Sequence, residues 1–429
     1  MKYMARILVT ALSFILCIAA LSACTSPDSG SSDTEPVFDG LVLDSTYHIC
    51  IPDDADEITR KTADMLAAIL KEKAGLELSV GSVADHSSDR DIILVPNALD
   101  GERTYEVSCV GSILRIAASD STSLYYAVEA VLDAWLTEDF GLAREGVVTL
   151  AQDRVGELNG LATKLDSSIR VLSQNMRVAD DPNRNTVQLR SRRFMELLEE
   201  YKPDLIGGQE YTLNWNVWLS KYTKKAGGTG ALDGYEMVGC SREGRDSQAG
   251  EWNPIFYRTD RFELLDSDTT WLCDTPTQPG AVEGSLCNRI CTWALLKDKQ
   301  TGETILFANT HLDHSTDKVR SAQMDILMDY LAERIGEYPF YLTGDFNCVV
   351  NSVPYNTATA KLEDSHKTAW EDRSTVTRTY HAYEETGGGE IDFIFHNEKT
   401  TPVNYEIISK GYDGYVSDHF GVIVEFVND

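Results

Sequence analysis

"LTGDFNCVV", residues 342–350, runs an apolar strand-like segment into Gly344 and then places Asp345 and Asn347 two residues apart. Gly, Asp and Asn after a strand have two explanations. One is a turn, because these residues let a chain change direction at little cost. The other is a site, because a strand end can aim two oxygen-bearing side chains at one point. A single copy of the pattern does not separate the two.

The pattern recurs. "IRVLSQN" ends at Asn175, "DLIGGQE" at Gln209 and Glu210, and "TILFANTHLDH" at Asn309, His311 and Asp313. "GEIDFIF" carries Asp392 in an otherwise apolar run, and "YVSDHFGVIVEF" sets Asp418 and His419 before a strand. A turn explains any one of these segments. It does not explain a set that shares amides, carboxylates and imidazoles and almost never Lys or Arg. Concentrated carboxylates repel one another and require a cation. Oxygen ligands with few histidines suit magnesium or manganese, with calcium as a third candidate. Such a site serves phosphate ester cleavage, which needs a cation on a phosphoryl oxygen, an aligned water and a stabilised leaving group. Asp392 with His419, and His311, are candidates to move the protons.

In order along the chain, "SQNMR", "GGQE", "GEWNPIFYR", "NTHLDH", "TGDFN", "TYH", "EIDFIF" and "VSDHF" resemble the endonuclease/exonuclease/phosphatase superfamily. The resemblance runs from about residue 169 to 427. It implies a four-layer α/β/β/α sandwich with the site at one edge, where strand-end loops converge. It also implies roles. Glu210 resembles the principal metal carboxylate, with Asn175 beside it. Asp345 and Asn347 resemble the pair that handles water, phosphate and a second metal. Asp418 resembles a further metal-side carboxylate, His419 the imidazole that contacts phosphate or acts as base, and Asp392 its orienting partner. His311 resembles the second catalytic histidine, and Glu251 sits where some members hold a glutamate against it. Arg289 reads as a phosphate-binding or structural arginine, and Asn309 as a supporting residue or a strand cap.

Outward from these motifs, residues 161–429 read as the catalytic domain. Helical stripes recur in it: Phe194, Leu197, Leu198 and Tyr201, then Val319, Ala322, Ile326, Leu327, Tyr330 and Leu331. Residues 41–150 read as a small α/β accessory domain. In it, "DEITRKTADMLAAILKEKAG" makes a helix stopped by Gly75, "DIILVP" and "TYEVSCVGSILRIAA" make strands, and "SLYYAVEAVL" makes a second helix. Its pattern resembles the small domain that precedes catalytic barrels in some glycoside hydrolases. Cys273, Cys287 and Cys291 lie close in sequence and are the expected source of a disulfide, given an exported chain.

Export is read from the start of the chain. Lys2 and Arg6 precede an apolar run over residues 7–21, and "LSAC" follows. Residues 1–23 therefore read as a signal peptide, too short in its apolar part to span a membrane comfortably. The Cys24 context resembles a bacterial lipobox, which implies lipid on its sulfur and an extracytoplasmic protein anchored to a bacterial membrane. Residues 24–40, polar and low in complexity, read as a flexible tether. The net charge of −30, from Asp+Glu 68 against Lys+Arg 38, disfavours a broad polyanion-binding face. The expected substrate is thus a phosphodiester of a small molecule, a lipid head group or a sugar phosphate, acted on by a monomer. A secreted nuclease is the first alternative. A carbohydrate-binding surface lipoprotein with an inactive catalytic domain is the second. Cys24→Ser is expected to leave the precursor unprocessed or to release it as soluble protein on cell fractionation. Membrane association unchanged in that variant would count against the anchor.

Overall fold

The computed structural model describes residues 40–84, 90–101, 103–110, 112–136, 148–151, 160–161, 168–182, 184–222 and 232–428. The signal segment, Cys24, the tether up to residue 39 and the stretch 137–147 lie outside them. In chain order the first domain runs β1 (Gly40–Leu43), β2 (His48–Ile51), α1 (Glu57–Ala74), β3 (Ser79–Ser82), β4 (Asp91–Val95), β5 (Thr104–Val110), β6 (Ile113–Ala118), α2 (Ser121–Leu136), β7 (Val148–Ala151) and β8 (Gly160–Leu161). Helix α1 starts where the Asp56 side chain accepts the Thr59 amide and stops at Gly75, whose φ of 64° is left-handed. Its Leu66 and Leu70 are buried with Leu124, Val128 and Val131 of α2 against the sheet β3-β2-β4-β6-β5-β8. Strand β3 is exposed to half-buried and short, so it left no strong apolar signal in the sequence. Leu161 pairs with Thr104, which ties it to the first domain's sheet; the second domain's first described strand starts at Ile169.

The second domain runs β9 (Ile169–Asn175), α3 (Val187–Tyr201), β10 (Leu205–Gln209), α4 (Leu213–Leu219), β11 (Tyr235–Val238), β12 (Ile255–Arg258), β13 (Phe262–Trp271), β14 (Ile290–Asp298), β15 (Thr304–His311), α5 (Asp317–Ile335), β16 (Phe340–Asp345), α6 (Val353–Thr359), β17 (Glu363–Asp364), α7 (Ser365–Thr368), β18 (Glu371–Asp372), β19 (Asp392–His396), β20 (Thr400–Ile408) and β21 (Gly421–Asn428). These strands form two mixed sheets, β11-β12-β10-β9-β21-β20-β18 and β13-β14-β15-β16-β19-β17. The two-residue period of a strand sorts side chains between their faces. Val171, Leu205 and Val424 of the first sheet meet Leu296, Phe307 and Tyr341 of the second in a shared core. On the first sheet's outer face, Leu172, Ile206 and Ile423 pack under Phe194 and Leu198 of α3. On the second's, Leu306, Ala308 and Leu342 pack under Met324, Leu327, Met328 and Leu331 of α5. The layers are therefore helix, sheet, sheet, helix.

The buried stripe of α5 is turned from the one read in the sequence: Met324 and Met328 are buried, while Ala322, Ile326 and Tyr330 are only half-buried. The cause is Gln323. It is buried because its Oε1 accepts the Asp313 amide at 2.8 Å and its Nε2 donates to Ser285 at 3.1 Å, a polar anchor that apolar periodicity does not report. The expected disulfide is also corrected: Cys273, Cys287 and Cys291 are all free thiols. Cys291 packs with Leu272 under α5, whereas Cys273 packs with Trp271 and Ile290 in a separate cluster. Alternation along paired strands sends the two thiols to opposite faces.

Two contacts hold this frame. Near the site, the sheets approach so closely at Gly207 that a Cβ there would stand 2.0 Å from Thr343 Oγ1 and 2.7 Å from Asn309 Oδ1. The Asn309 amide fills the gap. Its Nδ2 donates to Gly208 O at 2.8 Å and Pro254 O at 2.9 Å, and its Oδ1 accepts from Gln209 Nε2 at 2.8 Å and Thr343 Oγ1 at 3.1 Å. The second contact joins the domains. Tyr125 meets Trp370 edge-on at 4.9 Å, and Tyr126 Oη donates to Glu425 Oε2 at 2.9 Å. Glu425 also accepts from Ser168, from Asn404 Nδ2 at 3.1 Å and from Arg170 Nε at 3.4 Å. Burial alone would raise its pKa, but the Arg170 charge and these hydrogen bonds hold it below the usual glutamate value.

Asn309→Leu should lower stability by roughly 3 kcal/mol or more, since it strands several buried polar groups at once; an unchanged denaturant midpoint would show that the amide is not a staple. For Glu425 the sign follows from its lowered folded pKa: the stabilisation is present above the unfolded value and is lost as pH falls through the folded one. Glu425→Gln should therefore reduce Tm at pH 7, and the difference should shrink below the ordinary glutamate range and vanish only once pH passes below the lowered folded value. A Tm difference that persists in acid would refute the charged pairing.

Candidate active site

Parallel strands β9 and β10 in one sheet, and β15 and β16 in the other, end on the same side of the sandwich. Pairing aligns their last residues: Asn175 with Gln209, and His311 with Asp345. Antiparallel β19 starts there, with Asp392 paired to Asp345. His419 lies just before β21 and bridges to Tyr380. Open α/β sheets place ligands at such strand ends.

At the centre, Asn175 stands between two carboxylates. Its Nδ2 donates to Asp345 Oδ2 at 2.9 Å and to Glu210 Oε1 at 3.2 Å. Glu210 is the residue after β10 and has a left-handed φ of 56°. Its other oxygen accepts the Val178 amide at 2.7 Å, which fixes the carboxylate toward Asn175. Asp345 is 2% exposed, and burial, followed by the Asp392 charge, raises its pKa to about 7 against the opposing effect of His419. Its Oδ1 accepts the Asn347 amide at 2.9 Å.

His419 Nδ1 lies 2.8 Å from Asp392 Oδ2, and its Nε2 lies 3.8 Å from Asp345 Oδ2. Burial would lower its pKa, but Asp392, by charge and hydrogen bond, then Asp345 and Asp418 raise it to about 10. His311 behaves oppositely. Burial, then the charges of Arg289, His419, Arg242 and His314, push its pKa well below the ordinary value. Its Nε2 lies 3.0 Å from Asn347 Nδ2, whose other proton goes to Leu312 O at 3.0 Å. The amide therefore donates to Nε2, and the proton of neutral His311 rests on Nδ1, which is buried and has no hydrogen-bond partner among the described residues.

Asp418 borders this centre. Its Oδ2 lies 3.6 Å from Arg177 Nε, and burial is the main cause of its raised pKa, with the Glu210 charge adding to the rise. His381, in "TYH", stacks on Phe420 at 4.0 Å and donates its amide to Asp418 O, so it braces the loop that carries Asp418 and His419. Glu251 takes another partner than the resemblance implies, whereas Arg289 and Asn309 take structural, supporting places. Glu251 pairs with Arg242 Nη1 at 2.9 Å, and no hydrogen bond joins it to His311 among the described residues. Arg289, 4% exposed, sets Nη2 3.3 Å from His314 Nδ1 and Nε 3.9 Å from Asp313, and so steadies the segment after His311. Asn309 is the cross-sheet staple. The reading of the sequence passed over Arg177 and Tyr380, although both lie in motifs it used: Arg177 ends "SQNMR", and Tyr380, in "TYH", sets its ring 4.9 Å from that of His419.

The donor set fits a hard cation. Glu210 and Asp345 turn oxygens toward one amide nitrogen, and burial with the nearby Asp392 charge makes Asp345 a weak acid. A second grouping, Asp345, Asp392 and His419, brings ligand atoms within 4.8 Å of one another. We assign that trio to proton handling, because Asp392 and His419 already satisfy each other and a cation would have to break their bond.

Comparison with known proteins agrees with this geometry. The model of the Endonuclease/Exonuclease/phosphatase family matches residues 172–419. The endonuclease/exonuclease/phosphatase from Bacteroides vulgatus, a crystal structure, is similar over 62% of this chain and 100% of that one, at 30% identity and a TM-score of 0.56. A mannosyl-6-phosphatase of Bacteroides thetaiotaomicron is similar over 60% of this chain and 99% of its own, at 28% identity and a TM-score of 0.55. Protein angel of Drosophila melanogaster is 26% identical over 190 residues, 42% of this chain and 49% of its own length, so the chain spans about half of this curated relative. The matched region takes in every strand end that builds the site, and the chain belongs to the Endonuclease/Exonuclease/phosphatase family.

Proposed function

We propose that the protein is a divalent-metal-dependent phosphoesterase acting on a small phosphate ester: a sugar phosphate, a lipid head group or a related phosphodiester. The observation that carries this reading is the meeting of strand ends from two sheets, which sets the Asp345 carboxylate between His419 and the Glu210–Asn175 pair. The mannosyl-6-phosphatase relative supports a sugar phosphate.

Glu210 and Asn175, with Asp418 beside them, would hold magnesium or manganese, which leaves Asp345 for the water. Bound there, the cation supplies charge on a phosphoryl oxygen and acidifies water. The protein's own groups do the rest. Asp345 takes a proton from the attacking water, a task suited to a carboxylate whose pKa lies near neutrality. Asn347, with its backbone at a φ of 48° and its amide committed to His311 and Leu312, fixes the neighbouring donors. His419, held by Asp392 through Nδ1, keeps a proton on Nε2 at neutral pH and faces the anion. Neutral His311 sets Nε2 3.4 Å from Asp345 Oδ2 and, with Asn347, positions that carboxylate. We extend the reading of the signal segment and Cys24 to place this activity outside the cytoplasm on a lipid anchor.

The test is a panel of p-nitrophenyl phosphate, bis-p-nitrophenyl phosphate, sugar phosphates, sphingomyelin and plasmid DNA, with and without metal. Hydrolysis should require magnesium or manganese and stop on chelation. Glu210→Gln should lose most metal affinity. His419→Ala and His311→Ala should each cut kcat by on the order of a hundredfold, with little change in Tm. Full activity after EDTA treatment would sink the metal reading. Parallel loss of activity and of folding would make the histidines structural.

A further inference from the structure

We infer that Arg177 is a phosphate-binding residue of this site, presenting one free edge of its guanidinium to the oxyanion of the substrate; the inference rests on the phosphoesterase reading above. The side chain is held in one orientation. Its Nε and Nη2 fork onto Asp181, at 3.0 Å and 3.2 Å. Nε also lies 3.6 Å from Asp418 Oδ2, too long for a hydrogen bond. Nη1 has no hydrogen-bond partner among the described residues. A planar guanidinium whose Nε edge is occupied directs its remaining edge outward, and that edge matches the oxygen spacing of a phosphate.

The backbone under it is built for this placement. Arg177 has a left-handed φ of 61°, a conformation that L side chains rarely adopt. Three hydrogen bonds impose it. The Arg177 amide donates to Asn175 Oδ1 at 2.9 Å, and its carbonyl accepts from Trp215 Nε1 at 2.9 Å and from Arg190 Nη1 at 3.0 Å. Arg190 is fully buried and spends its guanidinium on this loop, donating also to the carbonyls of Met176, Ala179 and Asn185. Burying a charge to staple carbonyls is costly. Strained backbone that its surroundings over-determine is found where a side chain must be held in place. If Arg177 served only to neutralise Asp181, an ordinary surface loop would suffice, as i,i+4 pairs need no such support. The Asn175 link also makes the position of Arg177 follow the same amide that joins Glu210 to Asp345.

The experiment compares the full-length protein with Arg177→Met, Arg177→Lys and Asp181→Asn. The readouts are inorganic phosphate affinity by calorimetry in magnesium, kcat and KM on p-nitrophenyl phosphate, and Tm. Arg177→Met should weaken inorganic phosphate about tenfold or more and lower kcat/KM at least as much, the loss of a charge-assisted hydrogen bond. Arg177→Lys should recover charge without the fork and fall between. Asp181→Asn should loosen the orientation and raise KM more than it lowers kcat. Phosphate affinity and kcat/KM unchanged in Arg177→Met would overturn the inference, as would losses matched by a fall in Tm. Should the unmodified protein hydrolyse nothing yet bind phosphate through Arg177, the phosphoesterase reading fails and this one stands.

Discussion

The site exists because two sheets close on each other at one end, and the closure depends on a single amide. Asn309 bonds to carbonyls and side chains of both sheets at the point where only glycine fits at position 207. Without that approach Glu210 and Asn175, on the first sheet, would not meet Asp345, His311 and Asp392, on the second. Neither sheet holds a complete set. The chemistry is assembled across the sandwich, and its precision is that of the sheet-to-sheet distance, which the packed core between them fixes elsewhere along the strands.

Once closed, the end of the sandwich holds more negative charge than it can neutralise. That excess sets the proton affinities. Asp345 becomes a weak acid because Asp392 and burial oppose its ionisation, and His419 becomes a strong base because the same carboxylates favour its cation. His311 stays neutral because it is buried, with the charges of Arg289 and Arg242 adding to that effect. Two histidines whose Nε2 atoms lie 3.4 Å and 3.8 Å from the same carboxylate are thus set apart in charge by burial and by the charges each faces, as separate acid and base roles require. Left-handed backbone at Arg177, Glu210 and Asn347 belongs to the same economy: strain is placed where side chains have to point against the run of their strands.

Much of this was legible in the sequence. Runs ending in Asn175, Glu210, His311 and Asp345, with Asp392 and His419 at the starts of others, announced a shared strand-end site before any coordinates, because a turn cannot account for so consistent a choice of residues. What did not show was what a residue bonds to. Asn309 looks the same in sequence whether it faces a ligand or staples two sheets. Glu251 pairs with Arg242 instead of His311, a choice made by a loop between β11 and β12 whose path apolar patterning does not encode. Gln323 turned the stripe of α5 for the same reason: a buried polar anchor breaks the periodicity from which burial is inferred.

The first domain meets the strand that leads to this machinery, β21, through Tyr126, beside contacts to Trp370 and Asn404. His419 lies two residues before that strand, and Glu425, which receives Tyr126 of α2, lies within it. Six residues of extended chain separate the two, about 20 Å. At that distance the Tyr126 contact itself stands clear of the chemistry. It can still act on the site by holding the strand that carries His419, since Glu425 is bonded on one side to the first domain and on the other to Ser168, Asn404 and Arg170 of the second. The contact buries a charge and several aromatic rings, which is more than a passive tether between independent domains needs.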